Sequence, residues 1–280
     1  MKQLLVIIGT GLIGCSFAKG ARAQGLFDHI VGIEPDVACA EEVRSLGIVD
    51  EIATEVIPSA DAVLIASPSD TIAEWVIRLS GHSGILFDVG SVKSGILDAI
   101  RESLGELPAR FVPCHPIAGS ERQGPAAADA SLFVERKVVI TPHSAINSGA
   151  LASVAGWWQQ LGARVQQMEA PLHDRMLALT SHLPHLVAFA YLQQIDTEHL
   201  DFAGGGFRDF TRIGASDAAL WSAIFELNKT PLLQALDDLE MSLGEIRHAV
   251  DTGDLDKVRR IILTAQQKRL ELSPLDQRGR

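Results

Sequence analysis

Short apolar runs alternate with segments of helical periodicity over the first 168 residues of the chain. The runs are rich in Val, Ile and Leu and do not alternate apolar with polar positions, which is typical of strands that helices cover on both faces. Strands separated by helices are joined by parallel crossovers, so the pattern predicts a doubly wound parallel α/β sheet over residues 1–168. The predicted strands are LLVII (4–8), HIVGI (29–33), AVLIA (62–66), ILFDV (85–89), RFVPC (110–114), KVVIT (137–141) and ARVQQM (163–168).

The strand pattern ends near Pro171, and the remaining chain has helical periodicity. The predicted helices run over 172–195, with a kink near Pro184, over 217–250, with a break near Pro231, and over 254–272. The glycine-rich stretch DFAGGGFRDFTRIGAS (201–216) is too polar to form a helical core. Because the helices are apolar around much of their circumference, we expect residues 169–280 to form an all-α domain that also provides a homodimer interface.

Composition and charge restrict the class of protein. Apolar residues make up 47% and charged residues 21% of the chain, which is typical of a folded globular protein. The formal net charge of −11 argues against nucleic acid or an anionic membrane surface as partner. The three cysteines are far apart and form no CxxC, so we expect no metal site and no disulfide framework. The protein is therefore expected to work in the cytoplasm, and no apolar run is long enough to span a membrane.

The motif GTGLIG directly follows the first predicted strand and opens a helical run. Gly9 permits a tight turn, Gly11 lets a pyrophosphate approach the backbone, and Gly14 allows the helix to pack closely on the strand. Leu12 and Ile13 complete a loop whose N–H groups lie at the positive end of the helix dipole. A GxGxxG alone is a weak signal, but its place between strand and helix predicts a Rossmann-type dinucleotide-binding domain.

Acidic and hydroxyl side chains follow the next strands. Glu34 ends the second strand, about 20 residues beyond the motif, where a carboxylate binds the adenosine ribose and favours NAD over NADP. Asp36 follows Pro35 and is expected to point away into the loop. Ser67 and Ser69, after the third strand, either contact the cofactor or cap the following helix.

Candidate catalytic groups follow two further strands at the same edge. His115 ends RFVPC, and a neutral imidazole there accepts the proton of a substrate hydroxyl while a hydride leaves the adjacent carbon. Turnover is then expected to rise with pH through the pKa of the histidine, about 6.5 when unperturbed. Ser91, in DVGSVKSG, either orients His115 or caps a helix that begins near Val92. Lys93 either approaches the cofactor or is solvated.

Five motifs occur in order along nearly the whole chain, namely GTGLIG, DVGSVK, CHPIAGSE, TSHLPH and FRDFTRIGASDAALW. Together they resemble the prephenate/arogenate dehydrogenase family of tyrosine biosynthesis. The resemblance implies NAD-dependent oxidative decarboxylation of prephenate to 4-hydroxyphenylpyruvate, with a small-molecule substrate bound by the helical domain. Loss of hydride and carbon dioxide makes the substrate ring aromatic, so the enzyme mainly has to align the ring and polarise one hydroxyl.

The resemblance also implies residue roles. His115 is the partner of the substrate hydroxyl, and Ser91 assists it. Arg212, in DFTRI, binds a substrate carboxylate through its paired donors, and Arg208 is the competing candidate.

Further roles concern the walls of the site. His182 and His185 face the cleft, and His185 contacts the substrate side chain, although both are also plausible packing residues. Glu121 lies at the mouth of the site. Trp221 either lines the pocket or belongs to the core. Gly204 to Gly206 either present N–H groups to the substrate, with Gly206 as the leading candidate, or only form a turn.

Three other functions are alternatives to this one. Arogenate, which has an amine in place of the keto group, is the alternative substrate, alone or together with prephenate. A β-hydroxyacid dehydrogenase would use a lysine of the second domain, but the chain has no lysine between Lys137 and Lys229. A non-catalytic NAD-sensing module would have no reason to keep a serine, a histidine and an arginine that converge on one site.

Overall fold

Strands alternate with helices in the first part of the chain, and the second part is helical, as predicted. A computed structural model describes residues 3–119 and 124–276. Its strands are β1 (Leu4–Ile8), β2 (His29–Ile33), β3 (Glu51–Ala53), β4 (Ala62–Ile65), β5 (Ile85–Asp88), β6 (Phe111–Val112), β7 (Cys114–Ile117), β8 (Lys137–Ile140) and β9 (Arg164–Gln167). Its helices are α1 (Leu12–Ala23), α2 (Val37–Ser45), α3 (Ile72–Arg78), α4 (Ser94–Leu104), α5 (Ser148–Gln160), α6 (Ala170–Leu177), α7 (Leu183–Leu192), α8 (Thr197–Leu200), α9 (Gly205–Thr211), α10 (Ala218–Leu227), α11 (Lys229–Asp251) and α12 (Leu255–Asp276).

Six strands form one parallel sheet in the order β3-β2-β1-β4-β5-β6. In its centre Ile8 of β1 lies opposite Ile33 of β2 and Ile65 of β4. This strand order, with helices on both faces, confirms the predicted doubly wound fold. Strand β3 was not predicted, because three partly exposed residues are too few to give a strand pattern.

The strand expected over 110–114 is divided at Pro113. Phe111–Val112 stays in the large sheet beside β5, whereas Cys114–Ile117 leaves it and pairs antiparallel with β8. Proline has no N–H to donate to a strand ladder, so the division falls where the sequence interrupts the ladder. Strands β7, β8 and β9 form a separate three-stranded sheet, and the last two predicted strands do not extend the parallel one.

Hydrophobic side chains cover both faces of the large sheet. On one face Phe17 of α1 packs against Phe87 of β5 and Trp158 of α5, with ring centroids 5.4 and 4.9 Å away. On the other face Val6 and Phe111 pack in a cluster to which α3 and α4 contribute. Burial on both sides explains why the strands read as continuous apolar runs.

The helical half has both predicted interruptions. A π-helix at Ala178–His182 joins α6 to α7 just before Pro184, and Asn228 separates α10 from α11 just before Pro231. The glycine-rich stretch contains α9, which buries none of its residues and so adds nothing to the core. Within residues 3–119 and 124–276, no helix combines the length and apolar character needed to cross a membrane.

The last two helices expose many large apolar side chains. These are Leu233, Met241, Leu243, Ile246, Val250, Leu255, Ile262, Leu263, Leu270 and Leu272. So many exposed apolar residues on one antiparallel helix pair are typical of a surface that a protein partner covers.

Candidate active site

The glycine loop has the backbone geometry that dinucleotide binding requires. Gly9 has φ +88°, and a Cβ on it would lie 2.6 Å from the carbonyl oxygen of Ala66. A Cβ on Gly14 would lie 2.3 Å from the carbonyl oxygen of Gly9. Beside Gly11, where α1 begins, a Cβ would meet nothing within 4 Å. The first and third glycines are therefore required by close packing, while the second leaves space for a ligand at the helix N-terminus.

The carboxylate of Glu34 lies against this loop. Its Oε2 accepts hydrogen bonds from the backbone N–H and the hydroxyl of Thr10, both at 3.0 Å, and its Oε1 accepts from the backbone N–H of Asp36 at 3.1 Å. Asp36 itself caps α2 through the N–H of Cys39 at 2.7 Å. Glu34 is thus held beside the nucleotide loop, and Asp36 has a structural role.

Four loops with predicted site residues lie side by side at the carboxyl edge of the sheet, because β1, β4, β5 and β6 are consecutive neighbours. The loops after β1, β4 and β5 bring Gly9, Ser67 and Ser91 to this edge, and His115 follows β6 there as the second residue of β7. The hydroxyl of Ser67 accepts a hydrogen bond from Thr71 at 2.8 Å, and that of Ser69 accepts from the N–H of Ser91 at 3.4 Å. Neither serine caps α3.

Lys93 is buried in an ion pair. Its side chain is 1% exposed, its ammonium group contacts the Asp88 carboxylate, and it donates to the carbonyl oxygen of Cys114 at 2.6 Å. Asp88 also accepts hydrogen bonds from the N–H groups of Gly90 and Cys114, each at 2.9 Å. The predicted alternative of a solvated Lys93 was wrong, because β5 places an acidic partner beside its buried ammonium group. Contact of Lys93 with the cofactor stays a prediction.

His115 begins a chain of buried hydrogen bonds. Its Nδ1 lies 2.8 Å from Nε2 of His173, and Nδ1 of His173 lies 2.8 Å from Oδ1 of Asp174. His115 is 8% exposed and His173 fully buried. Burial, followed by the nearby His173, Lys93 and His182, holds the pKa of His115 well below its usual range. His115 is therefore neutral and able to accept a proton.

Asp174 connects the helical half to the sheet. Its carboxylate accepts hydrogen bonds from the backbone N–H of Lys93 at 2.9 Å and of Ser94 at 2.7 Å, so it caps α4 from α6. Burial alone would raise the pKa of Asp174, but the hydrogen bonds from His173, Lys93 and Ser94 together lower it. Since α4 begins at Ser94 and Asp174 supplies its cap, the hydroxyl of Ser91 does not perform that role.

The two histidines of TSHLPH lie on the same aromatic cluster. Burial lowers the pKa of His182 to about 4, and its Nδ1 accepts a hydrogen bond from Asn228 Nδ2 at 2.8 Å. His185 stacks on Trp221 with ring centroids 3.5 Å apart. Trp221 is buried and packs in a cluster with Val92, the neighbour of Ser91. Trp221 thus joins the helical residues to the serine loop while it also belongs to the core.

Three further predicted residues, Arg212, Arg208 and Gly206, lie at the surface. Arg212 starts a 3-10 helix, is exposed, and its charge lowers the pKa of His185 after the larger effect of burial. Arg208 and Gly206 are exposed on α9, with open space around Gly206. Glu121 lies outside the described residues.

Two functional candidates were missed by sequence reasoning, His173 and Asp174. They are adjacent in LHDRM, at the start of a helix, and belong to no motif that sequence inspection singles out. The signal available was a histidine and an aspartate on the buried face of an amphipathic helix, where charged residues are rare unless they are paired.

A dehydrogenase needs a nucleotide loop and a neutral histidine at one sheet edge. The hydride acceptor then lies beside a substrate carbon, and the proton acceptor lies beside the hydroxyl on that carbon. The arrangement places the protein among the dinucleotide-dependent dehydrogenases.

Known proteins that resemble this chain include dehydrogenases, and they identify its family. Residues 17–167 match the family model for the nucleotide-binding domain of prephenate dehydrogenase, and residues 169–264 match the model for its dimerization domain. The chain therefore belongs to the prephenate dehydrogenase family, which confirms the predicted NAD-dependent oxidoreductase at the level of the family.

Individual relatives cover nearly the whole chain. A cyclohexadienyl dehydrogenase from Zymomonas mobilis is 32% identical over 96% of this chain and 95% of its own length. A prephenate dehydrogenase from Bacillus subtilis is 33% identical over 100% of this chain and 78% of its own length. The solved prephenate dehydrogenase from A. aeolicus, in complex with hydroxyphenyl propionate and NAD+, has a TM-score of 0.89 and 32% identity, and covers 97% of this chain and 99% of that one.

Proposed function

We propose that this protein converts prephenate to 4-hydroxyphenylpyruvate and carbon dioxide with NAD as oxidant, as a step of tyrosine biosynthesis. The observation that carries the proposal is the buried imidazole of His115 at the sheet edge that also holds the glycine loop. The names of the relatives from Bacillus subtilis and A. aeolicus support the same substrate.

The residues of the nucleotide loop fit NAD. The open backbone at Gly11 receives the diphosphate at the start of α1, and Glu34 binds the adenosine ribose. The other residues proposed to contact the cofactor are Gly9, Leu12, Ile13, Gly14, Ser67 and Ser91. When bound, NAD supplies the acceptor for the hydride.

His115 moves the proton. It accepts the proton of the substrate hydroxyl as the hydride leaves the carbon that bears this hydroxyl. The carbonyl group that results draws electrons from the opposite ring carboxylate, which leaves as carbon dioxide. The oxygen is then a phenolate, to which His115 returns the proton, so the reaction needs no proton from solvent. Ser91, half-buried beside the same loops, supplies a second hydrogen-bond partner for the hydroxyl.

Between about pH 6 and 8, kcat/KM for prephenate is expected to be nearly constant, and to fall only under more acidic conditions. The neutral form of His115 is the active base, and its lowered pKa keeps that form dominant throughout the neutral range. This replaces the expectation of a rise through the ordinary histidine pKa. A kcat/KM that climbs steadily across the neutral range would contradict the assignment.

Arg212 is proposed to bind a substrate carboxylate. Replacing it by leucine is expected to raise KM for prephenate about 10- to 100-fold, since hydrogen bonds to a charged partner contribute about 1.5–3 kcal/mol. Arg208→Leu is the matched control, because that arginine is also exposed on the same stretch of chain. Steady-state kinetics with both variants checks the assignment, and a larger rise in KM for Arg208→Leu would reassign the role.

The remaining wall of the site is proposed to surround the substrate side chain. His185 and Trp221 form one stacked surface, with His182 beside it. The N–H of Gly206 is proposed to lie at the rim of this surface. Glu121 is proposed at the entrance. These groups do not exclude an amine from the side-chain position, and the Zymomonas mobilis relative supports arogenate as a second substrate.

Incubation of the protein with NAD and either prephenate or arogenate tests the function. Formation of reduced cofactor with prephenate at the higher kcat/KM is expected. A preference for arogenate would instead favour the alternative substrate, and no turnover with either compound would leave a non-catalytic NAD-binding protein. Replacing NAD by NADP in the same assay tests the role of Glu34, with NAD expected to give the lower KM.

We further propose that residues 1–168 form the NAD-binding domain and residues 169–280 the substrate-binding and dimerisation domain, in a cytoplasmic homodimer. The family model for a dimerization domain supports the second assignment, and three free cysteines fit a reducing compartment.

Leu263→Glu, on exposed α12, is expected to convert the dimer to monomers, because a buried interfacial charge without a partner opposes association. Leu46→Glu is the matched control, since this leucine is similarly exposed but follows α2. Sedimentation of the three proteins measures the effect, and a monomeric unmodified chain would overturn the proposal.

A further inference from the structure

Three buried side chains form one line of hydrogen bonds into the active site. Asp174 and His173 belong to α6 of the helical half, and His115 belongs to β7 beside the large sheet. Both nitrogen atoms of His173 are occupied, Nε2 by His115 and Nδ1 by Asp174, each at 2.8 Å. Nδ1 of His115 is therefore occupied as well, and its Nε2 is the remaining ring nitrogen available to a substrate.

The distribution of protons along this line follows from Asp174. An ionised carboxylate only accepts hydrogen bonds, so the one between Asp174 and His173 places a proton on Nδ1 of His173. Two N–H groups at the start of α4 and the helix dipole already stabilise the charge of Asp174. His173 is fully buried, and a neutral imidazole, which has one donor and one acceptor nitrogen, fits its two hydrogen-bond partners.

Neutral His173 then has its lone pair on Nε2. That atom accepts the hydrogen bond from His115, which places the proton of His115 on Nδ1. The lone pair of His115 is left on Nε2. If His173 were absent, either nitrogen of His115 would be free to carry the proton, and the tautomer with Nε2–H would be unable to accept one.

Asp174 also holds the loop that carries Ser91. Its bonds to the N–H groups of Lys93 and Ser94 fix the turn directly after Ser91. The backbone carbonyl of Asp174 in turn accepts a hydrogen bond from Asn228 Nδ2 at 3.0 Å. One carboxylate from the helical half therefore sets the positions of two groups that the sheet contributes to the reaction.

We propose that His173 and Asp174 are positioning residues, which hold His115 as the tautomer with a free lone pair on Nε2 and align it with the Ser91 turn. This proposal rests on the proposed function only in giving His115 the role of base. Within residues 3–119 and 124–276, the titratable groups whose charge acts on His115 are His173, Lys93 and His182.

Nitrogen NMR of the full-length protein with ¹⁵N-labelled histidine tests the tautomer without any substrate. His115 is expected to have a protonated Nδ1 and an unprotonated Nε2, and in His173→Leu a mixture of both tautomers. A proton on Nε2 of His115 in the unmodified protein, or a doubly protonated His173, would overturn the proposal. Because this NMR measurement needs no turnover, it tests the tautomer of His115 even if the protein does not convert prephenate.

Kinetics of His173 variants test the consequence. His173→Leu is expected to lower kcat about 100-fold, a part of the roughly 10²- to 10⁴-fold that general-base catalysis contributes, with the affinity for NAD unchanged. His173→Gln retains an amide oxygen able to accept from Nδ1 of His115, so it is expected to recover part of the loss. His82→Leu, at the opposite edge of the sheet, is the matched control, expected to keep full kcat. Equal kcat for the Leu and Gln variants would show a packing role only.

Discussion

Replacement of His115 by asparagine is expected to lower kcat for prephenate about 10²- to 10⁴-fold. The amide of asparagine is close in size to part of the imidazole and still forms hydrogen bonds, but it does not take up a proton at neutral pH. The hydroxyl proton would then have no acceptor as the hydride leaves. Steady-state kinetics at saturating NAD measures the effect.

The affinity for NAD separates this effect from a general disruption of the site. His115→Asn is expected to bind NAD as the unmodified protein does, because the nucleotide loop and Glu34 lie on other strands of the sheet. Titration with NAD in the absence of substrate checks this, and His82→Asn is the control for a histidine that lies away from the site. A variant with nearly normal kcat would remove His115 from the role of base.

Lys93→Met is expected to lower the free energy of unfolding by about 3–5 kcal/mol, because it leaves the carboxylate of Asp88 buried without a cation. Two backbone N–H groups still donate to that carboxylate, but they do not replace the ammonium charge. Denaturant unfolding followed by circular dichroism measures the loss, which is expected to disappear in part in the double variant Asp88→Asn with Lys93→Met.

An exposed ion pair provides the comparison for Lys93. Arg101→Met removes the partner of Asp98, and both of these side chains are more than half exposed. This change is expected to cost less than about 1 kcal/mol, since solvent screens such pairs. Equal losses for Lys93→Met and Arg101→Met would show that burial does not set the strength of the Asp88–Lys93 pair.

The fold was largely predictable because helices cover both faces of the sheet. Strands that helices cover on both faces need apolar side chains at every position, so they appear in the sequence as continuous apolar runs. The Gly9–Gly14 loop marks where the first strand ends. The division at Pro113 was harder to foresee, because RFVPC (110–114) has the pattern of one strand although Phe111–Val112 and Cys114–Ile117 belong to different sheets. Which strands pair depends on contacts that are distant in the chain.

The site was predictable where it depends on position at a strand end. His115 and Ser91 follow neighbouring strands, so the topology alone brings them to one edge. The contacts of Asp174 were not predictable, because it meets the start of α4 across 80 residues of sequence. No local pattern encodes such a contact, which depends on how the helical half packs against the sheet.

The most direct test of hydride transfer coupled to decarboxylation uses prephenate with deuterium on the hydroxyl-bearing ring carbon. The protein is mixed with NAD, and the reduced cofactor, carbon dioxide and 4-hydroxyphenylpyruvate are measured together. Equal amounts of all three are expected, with the deuterium transferred to the reduced cofactor. Reduced cofactor without deuterium, or carbon dioxide released without reduction of NAD, would contradict this coupling.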